Sequence, residues 1–215
     1  MTYLEIVNGV LKRLRENQVT TVEENDYSSL VGALVNDAKR EIEYAHQWSA
    51  LRTTITVTTS NGTSEYSLTG SGQSPVIHQI GNDTSNTWIK YRDASFFMRA
   101  NSLGTPESGS PRYFTHSGAD SNGDMKVKLY PVPDATYSIL FDMYVHQADL
   151  SSDTDSPSIP SNPILQLAYA MALRERGESG GQSAQEQLIY ADRVLSDAIA
   201  VDANYFPHEM AFSVV

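Results

Sequence analysis

Trp48-Ser49-Ala50-Leu51-Arg52-Thr53-Thr54-Ile55-Thr56-Val57-Thr58 decides the fold, because the spacing of apolar residues changes inside it. Upstream, from Tyr27 to about Gln47, Leu30, Leu34, Ala38, Ile42 and Ala45 recur at helical spacing. Tyr27, Val31 and Val35 widen that stripe, so the helix is expected between neighbours rather than on one flat surface. Asn25 or Asp26 stands where an N-cap belongs. Downstream, Leu51, Thr53, Ile55 and Val57 alternate with Arg52, Thr54, Thr56 and Thr58, a period of two. β-Branched residues lose rotamer freedom in a helix and pack well on a pleated surface. A helix therefore ends here and a β-region begins. Trp48 is expected to plug the seam, with Arg52 beside it.

Outward from this switch, both ends of the chain read as helices. Tyr3, Ile6, Val7, Val10, Leu11 and Leu14 have helical spacing, and Thr2 with Glu5 three residues on predicts a capping box. Near the other end, Ile164, Leu165, Leu167, Ala168, Met171 and Ala172 form one stripe. Leu188, Ala191, Val194, Leu195, Ala198 and Ile199 form another, in a helix from Gln182 to about Ala203.

Between them lie seven short alternating runs: 51–58, 65–68, 76–80, 87–91, 112–116, 125–130 and 137–145. Turn signals such as Asn61-Gly62, Asn122-Gly123 and Pro131-Val132-Pro133-Asp134 separate them. Asp93 to Asn101, with Phe96, Phe97 and Met98, reads as one short helix. Short strands without long intervening helices suggest an antiparallel barrel or sandwich.

The reading is α+β: a four-helix platform from the N- and C-terminal segments, with an inserted antiparallel β-barrel or sandwich. Its divisions are 1–50 plus 161–204 as the helical bundle domain and 51–148 as the β-domain. The Ser-, Asp- and Pro-rich stretch 149–160 reads as a linker, and 205–215 as an extended C-terminal tail. Four amphipathic helices bury their stripes mutually, which two alone hardly do.

Composition excludes several classes. With no cysteine there is no disulfide frame, thiol nucleophile or thiolate metal site. The opening Met1-Thr2-Tyr3-Leu4-Glu5 lacks a basic region followed by an apolar one, and no run approaches the roughly 18 apolar residues that cross a bilayer. Formal net charge is -11, from 15 Lys+Arg against 26 Asp+Glu. Counted along the chain the acidity is spread evenly, with no basic pole. Tight DNA binding is not expected, since phosphate neutralisation by Lys/Arg supplies most non-specific affinity.

Catalytic and metal motifs fail on inspection. Gly177-Glu178-Ser179-Gly180-Gly181 matches G-x-S-x-G, but it follows a helical pattern rather than forming a strand-to-helix elbow. Asp120-Ser121-Asn122-Gly123-Asp124 opens like a calcium loop, yet its sixth and twelfth positions hold Met125 and Pro131 instead of glycine and glutamate. Asp149, Asp153 and Asp155 read as a solvated acidic stretch. His46, His78, His116, His146 and His208 show no paired ligand spacing, although His78, His116 and His146 are placed to converge on one sheet. Glu41 and Glu43 point different ways on a helix, and Lys126 and Lys128 read as guards against edge pairing. No cofactor is expected.

Several stretches together resemble the head-to-tail adaptors of short-tailed bacteriophages, the family also called tail tubular protein A or gatekeeper. They are Met1-Thr2-Tyr3-Leu4-Glu5-Ile6-Val7-Asn8, Trp48-Ser49-Ala50-Leu51-Arg52, Ser64-Glu65-Tyr66-Ser67-Leu68 and Tyr130-Pro131-Val132-Pro133-Asp134, with the return to helices after Asp149. The resemblance implies a non-enzymatic virion protein, assembled in the host cytoplasm into a homo-oligomeric ring, usually a dodecamer. That ring would dock beneath the portal protein, reach the tail nozzle protein, and enclose a channel through which double-stranded DNA passes without sequence-specific binding. It also implies an extended C-terminal segment that grasps the portal, here Tyr205 to Val215. Independently, Tyr205, Phe206, Met210, Phe212, Val214 and Val215 crowd apolar groups into the last eleven residues, a composition that suits a partner groove.

Two rivals remain on the residues alone. A glycan-binding or attachment module of a virion is suggested by Tyr66, Trp88, Tyr91, Tyr113 and Tyr130 on the β-domain, whose ring faces can stack on sugars. A hydrolase would rest on Ser179 or an acidic pair.

Overall fold

The computed structural model describes residues 1–103, 105–177 and 182–204. The chain divides into two compact units, Met1–Leu51 with Gln147–Val215 and Arg52–His146.

In the first unit, helix α1 (Tyr3–Arg13) begins with the expected capping box. Glu5 N–H donates to Thr2 Oγ1, and Thr2 N–H donates to Glu5 Oε2. Two further amides of the first turn, those of Tyr3 and Leu4, donate to the carbonyls of Asp155 and Asp153. All the orphan donors that open this helix are thereby satisfied. Helix α2 (Asp26–Ala45) starts at the Asn25 cap, whose side chain accepts from Ser28 N–H. Two glycines let helices approach closely. A Cβ on Gly32 of α2 would lie 2.5 Å from Tyr3 Oη, and one on Gly9 of α1 would lie 2.9 Å from Leu165.

Helix α4 (Ser161–Glu175) is the hub, packing against α1, α2 and a further helix, α5 (Gln182–Ala203). Its buried residues run from Pro163 through Ala168 and on to Ala170, Ala172 and Leu173. A helix wrapped by three others is apolar on most sides, so the single stripe read from sequence understates it. Trp48, with no exposed surface, belongs to this helical core, and its Nε1–H donates to Ile42 O at 2.8 Å.

Residues 149–160, connector-like in composition, run with the helical unit and are held along their length. Asn36 clamps Leu150 in both directions, Leu150 N–H to Oδ1 at 2.9 Å and Nδ2–H to Leu150 O at 3.0 Å. Val22 N–H donates to Asp153 Oδ1, while Leu150 and Ile159 are buried anchors.

The second unit is a sandwich of two four-stranded sheets. One sheet holds β1 (Arg52–Thr58), β3 (Val76–Asn82), β4 (Thr87–Trp88) and β8 (Ser138–Tyr144), in the order β1-β8-β3-β4. The other holds β2 (Glu65–Ser67), β5 (Lys90–Tyr91), β6 (Tyr113–Ala119) and β7 (Met125–Tyr130), in the order β2-β7-β6-β5. Alternation fixes the inner faces: Ile139, Phe141 and Met143 of β8 are buried, while Leu140 and Asp142 between them are half-buried. Leu68, Ile80, Ile89, Phe114, Val127 and Leu129 complete the core.

The run 87–91, read as one strand, divides between the sheets. Buried Ile89 donates its N–H to Ile80 O, and Lys90–Tyr91 then pair with β6 in parallel. The other pairings between these strands are antiparallel, and one isolated parallel bridge joins Ser108 to Val132. The short helix α3 (Ala94–Ser102) starts at Asp93, which accepts from Phe96 N–H at 3.1 Å.

Candidate functional site

The apolar tail candidates Tyr205, Phe206, Met210, Phe212, Val214 and Val215 lie outside the described residues, as does Ser179 of the G-x-S-x-G match. The remaining candidates can be placed one by one.

The acidic loop after β6 spends its carboxylates on its own amides and on residues 67–72. Asp120 Oδ1 accepts from Asn122 and Asp124 N–H, and Asp120 Oδ2 accepts from Ser67 Oγ at 2.5 Å. The Ser67 hydroxyl, then these amides, hold the Asp120 carboxyl below the usual range. Asp124 accepts from Gly70 and Gly72 N–H. These bonds build a turn rather than a cation shell. Asp153 and Asp155 likewise accept from backbone amides.

Histidines do not converge. His78 lies on β3 beside Tyr144, while His116 lies on β6, in the other sheet, against Tyr91 and Phe114. Among the described residues no group of three or more His, Cys, Asp or Glu is placed to hold a metal ion. His46 instead joins a clasp that sequence spacing did not reveal. Asp202, near the end of α5, accepts from Ser49 N–H at 3.0 Å and Ser49 Oγ at 2.6 Å, and its Oδ2 is 3.1 Å from His46 Nε2. Serine, histidine and aspartate are all present, but the carboxylate stands between the other two. A nucleophile needs the base against its hydroxyl, so this arrangement anchors a helix end.

The aromatic candidates also separate. Tyr66 donates its hydroxyl to Thr63 O at 2.6 Å inside the turn before β2. Tyr113 and Tyr130 meet Phe96 edge to face, and Arg92 lies 5.1 Å from the Tyr113 ring centroid. Trp88 and Tyr91 are exposed but belong to different sheets, so the five form no shared platform. Lys126 and Lys128 are on β7, inside the sheet rather than at its edge, and both pair with Glu65 of β2. Lys126, Ser117 and Lys128 together pull the Glu65 carboxyl down to about 2.

Folding redistributes the charge. Met1–Leu51 and Gln147–Val215 hold 8 Lys+Arg against 18 Asp+Glu, whereas Arg52–His146 holds 7 against 8. The acidity that looks even along the chain therefore gathers on the helical unit. Five of its eight cations, Lys12, Arg13, Arg15, Arg174 and Arg176, stand at or just beyond the C-terminal ends of α1 and α4, where they complement the helix dipoles.

Helix α5 borders an apolar groove and carries a second, exposed apolar line. A groove of about 380 Å³ runs between α2, α4 and α5, lined by Leu167, Ala170, Met171, Ala184 and Leu188, with Glu41 and Arg174 also along it. On α5 itself Tyr190, Val194, Asp197 and Val201 fall at i, i+4, i+7 and i+11, one line along the helix. Tyr190 is 49% and Val201 61% exposed, so the line is not used by the unit's own core.

A unit that spends its polar clusters on backbone and keeps apolar helix faces open is built to be assembled. Comparison with known proteins agrees: a family model described as SU10 adaptor protein matches residues 1–209. The chain belongs to the SU10 adaptor protein family. It is a structural adaptor of the head-to-tail connector of short-tailed phages, a virion component whose role is assembly rather than catalysis. No curated protein matches the adaptor. Among its described residues no helix is long and apolar enough to cross a membrane.

Proposed function

We propose that the adaptor forms a ring, of twelve copies by likeness to its family, that docks beneath the portal protein, carries the tail nozzle protein, and encloses the DNA channel. The observation that carries this reading is the family match, which runs through both units from residue 1 to 209. The charge division supports a further detail. A surface that repels phosphate suits a channel through which DNA slides, and the helical unit holds 18 of the 26 acidic residues. The helical unit therefore lines the channel, and the nearly neutral β-unit turns toward the tail. Assembly takes place in the host cytoplasm.

The grasp on the portal is assigned to 205–215, because Tyr205, Phe206, Met210, Phe212, Val214 and Val215 give this short segment apolar anchors for a groove. Deleting 205–215 tests it. Binding of the full and shortened chains to purified portal rings, read by co-sedimentation, should fall at least about tenfold on deletion, while the circular dichroism stays helical. Equal binding by the shortened chain contradicts the tail anchor.

A further inference from the structure

We propose that neighbouring copies in the ring join head to tail through α5, the Tyr190–Val201 line of one copy seating in the α2/α4/α5 groove of the next. This rests on the ring reading and specifies its subunit contact. The line and the groove lie on opposite sides of the buried face of α5, which is marked by Ala184, Ala191 and Asp202. At 100° per residue, Leu188 falls on the groove side of that face, and Tyr190 and Val201 fall on the other. A ridge and a groove on different flanks of one molecule make a heterologous contact, which repeats in one direction and closes into a ring when the rotations between copies sum to a full turn. A two-fold dimer would need one patch that matches itself.

Charge complements shape. Glu41 and Arg174 stand along the groove, while Asp197 lies on the exposed line and Arg193, one helical turn before it, stands beside that line. All four are exposed, and none has an ionic partner among the described residues. Arg193 of one copy meets Glu41 of the next, and Asp197 meets Arg174. A second copy is therefore the occupant that supplies both the apolar knobs and the matching signs.

The chain contains no cysteine, so introduced thiols are the only ones it carries. Val201→Cys and Met171→Cys, singly and together in the full chain, are mixed with portal rings and oxidised in air with copper–phenanthroline. The double variant should give a ladder of covalent multimers on a denaturing gel, and each single variant should stay monomeric. Dimers from Val201→Cys alone indicate a two-fold α5 contact and overturn the proposal, as does a double variant without multimers. Co-sedimentation with portal in the same samples separates the two readings. Binding without a ladder removes this contact and leaves the ring, whereas failure of the unmodified chain to bind removes the ring as well. In a second arm, Glu41→Arg or Arg193→Glu alone should weaken subunit association by up to about fivefold at low salt, and the combined variant should recover it. No recovery overturns the charge pairing.

Discussion

Lys39 is fully buried, 3.2 Å from the equally buried Glu43, and donates from Nζ to Gln147 O at 2.7 Å. Removing one member of such a pair strands a charge away from water, so Lys39→Met should cost about 3–5 kcal/mol in chemical denaturation. Changing both, Lys39→Met with Glu43→Leu, should recover most of that loss. It leaves Gln147 O without this donor, so a residual cost of about 1 kcal/mol is expected. A double variant no better than the single one would show that the charge left on Glu43 is not what makes the single change costly. The Asp202 clasp is comparable in kind, since one buried carboxylate ties α5 to residues 46–49. Neither feature was legible in the sequence. Residues 39 and 147, or 49 and 202, are linked only by the fold, and no local spacing marks them.

At the scale of elements, Glu65 couples β2 to β7 through Lys126 and Lys128, and its folded pKa of about 2 lies below the ordinary 4.5. A depressed carboxylate stabilises the fold fully above its unfolded pKa and loses that contribution as pH falls through the folded one. Glu65→Gln should therefore lower stability at pH 7, by under about 1 kcal/mol because the site is partly exposed, and make little difference near pH 2. Urea midpoints at both pH values check this, and an unchanged gap at pH 2 would contradict it. Most elements were legible for equally local reasons. Thr2 and Glu5 announce α1, Asn25 announces α2, and the threonine-rich alternation after Leu51 announces β1. The division of 87–91 was not, because a period of two continues while the chain changes sheets at Ile89. Helical spacing found Ala191, Leu195, Ala198 and Ile199, which α5 packs inward, but it also took in Leu188 and Val194, which the structure places in the groove and on the exposed line, and it passed over Tyr190 and Val201.

For the whole molecule, the grouping of the chain after residue 146 with the first 51 residues turns an even distribution of charge into one acidic unit and one nearly neutral unit. Counting along the chain cannot show this, since it separates residues that folding joins. The adaptor identity was legible from short motifs spread over both units, and the family match spans the same length. The central claim is a ring on the portal. It is tested most directly by electron microscopy of purified portal rings mixed with the full chain. The account predicts an added ring of density below the portal, concentric with its channel, with the helical units innermost. Portals that remain bare at saturating adaptor, or adaptor density off the axis, would contradict it.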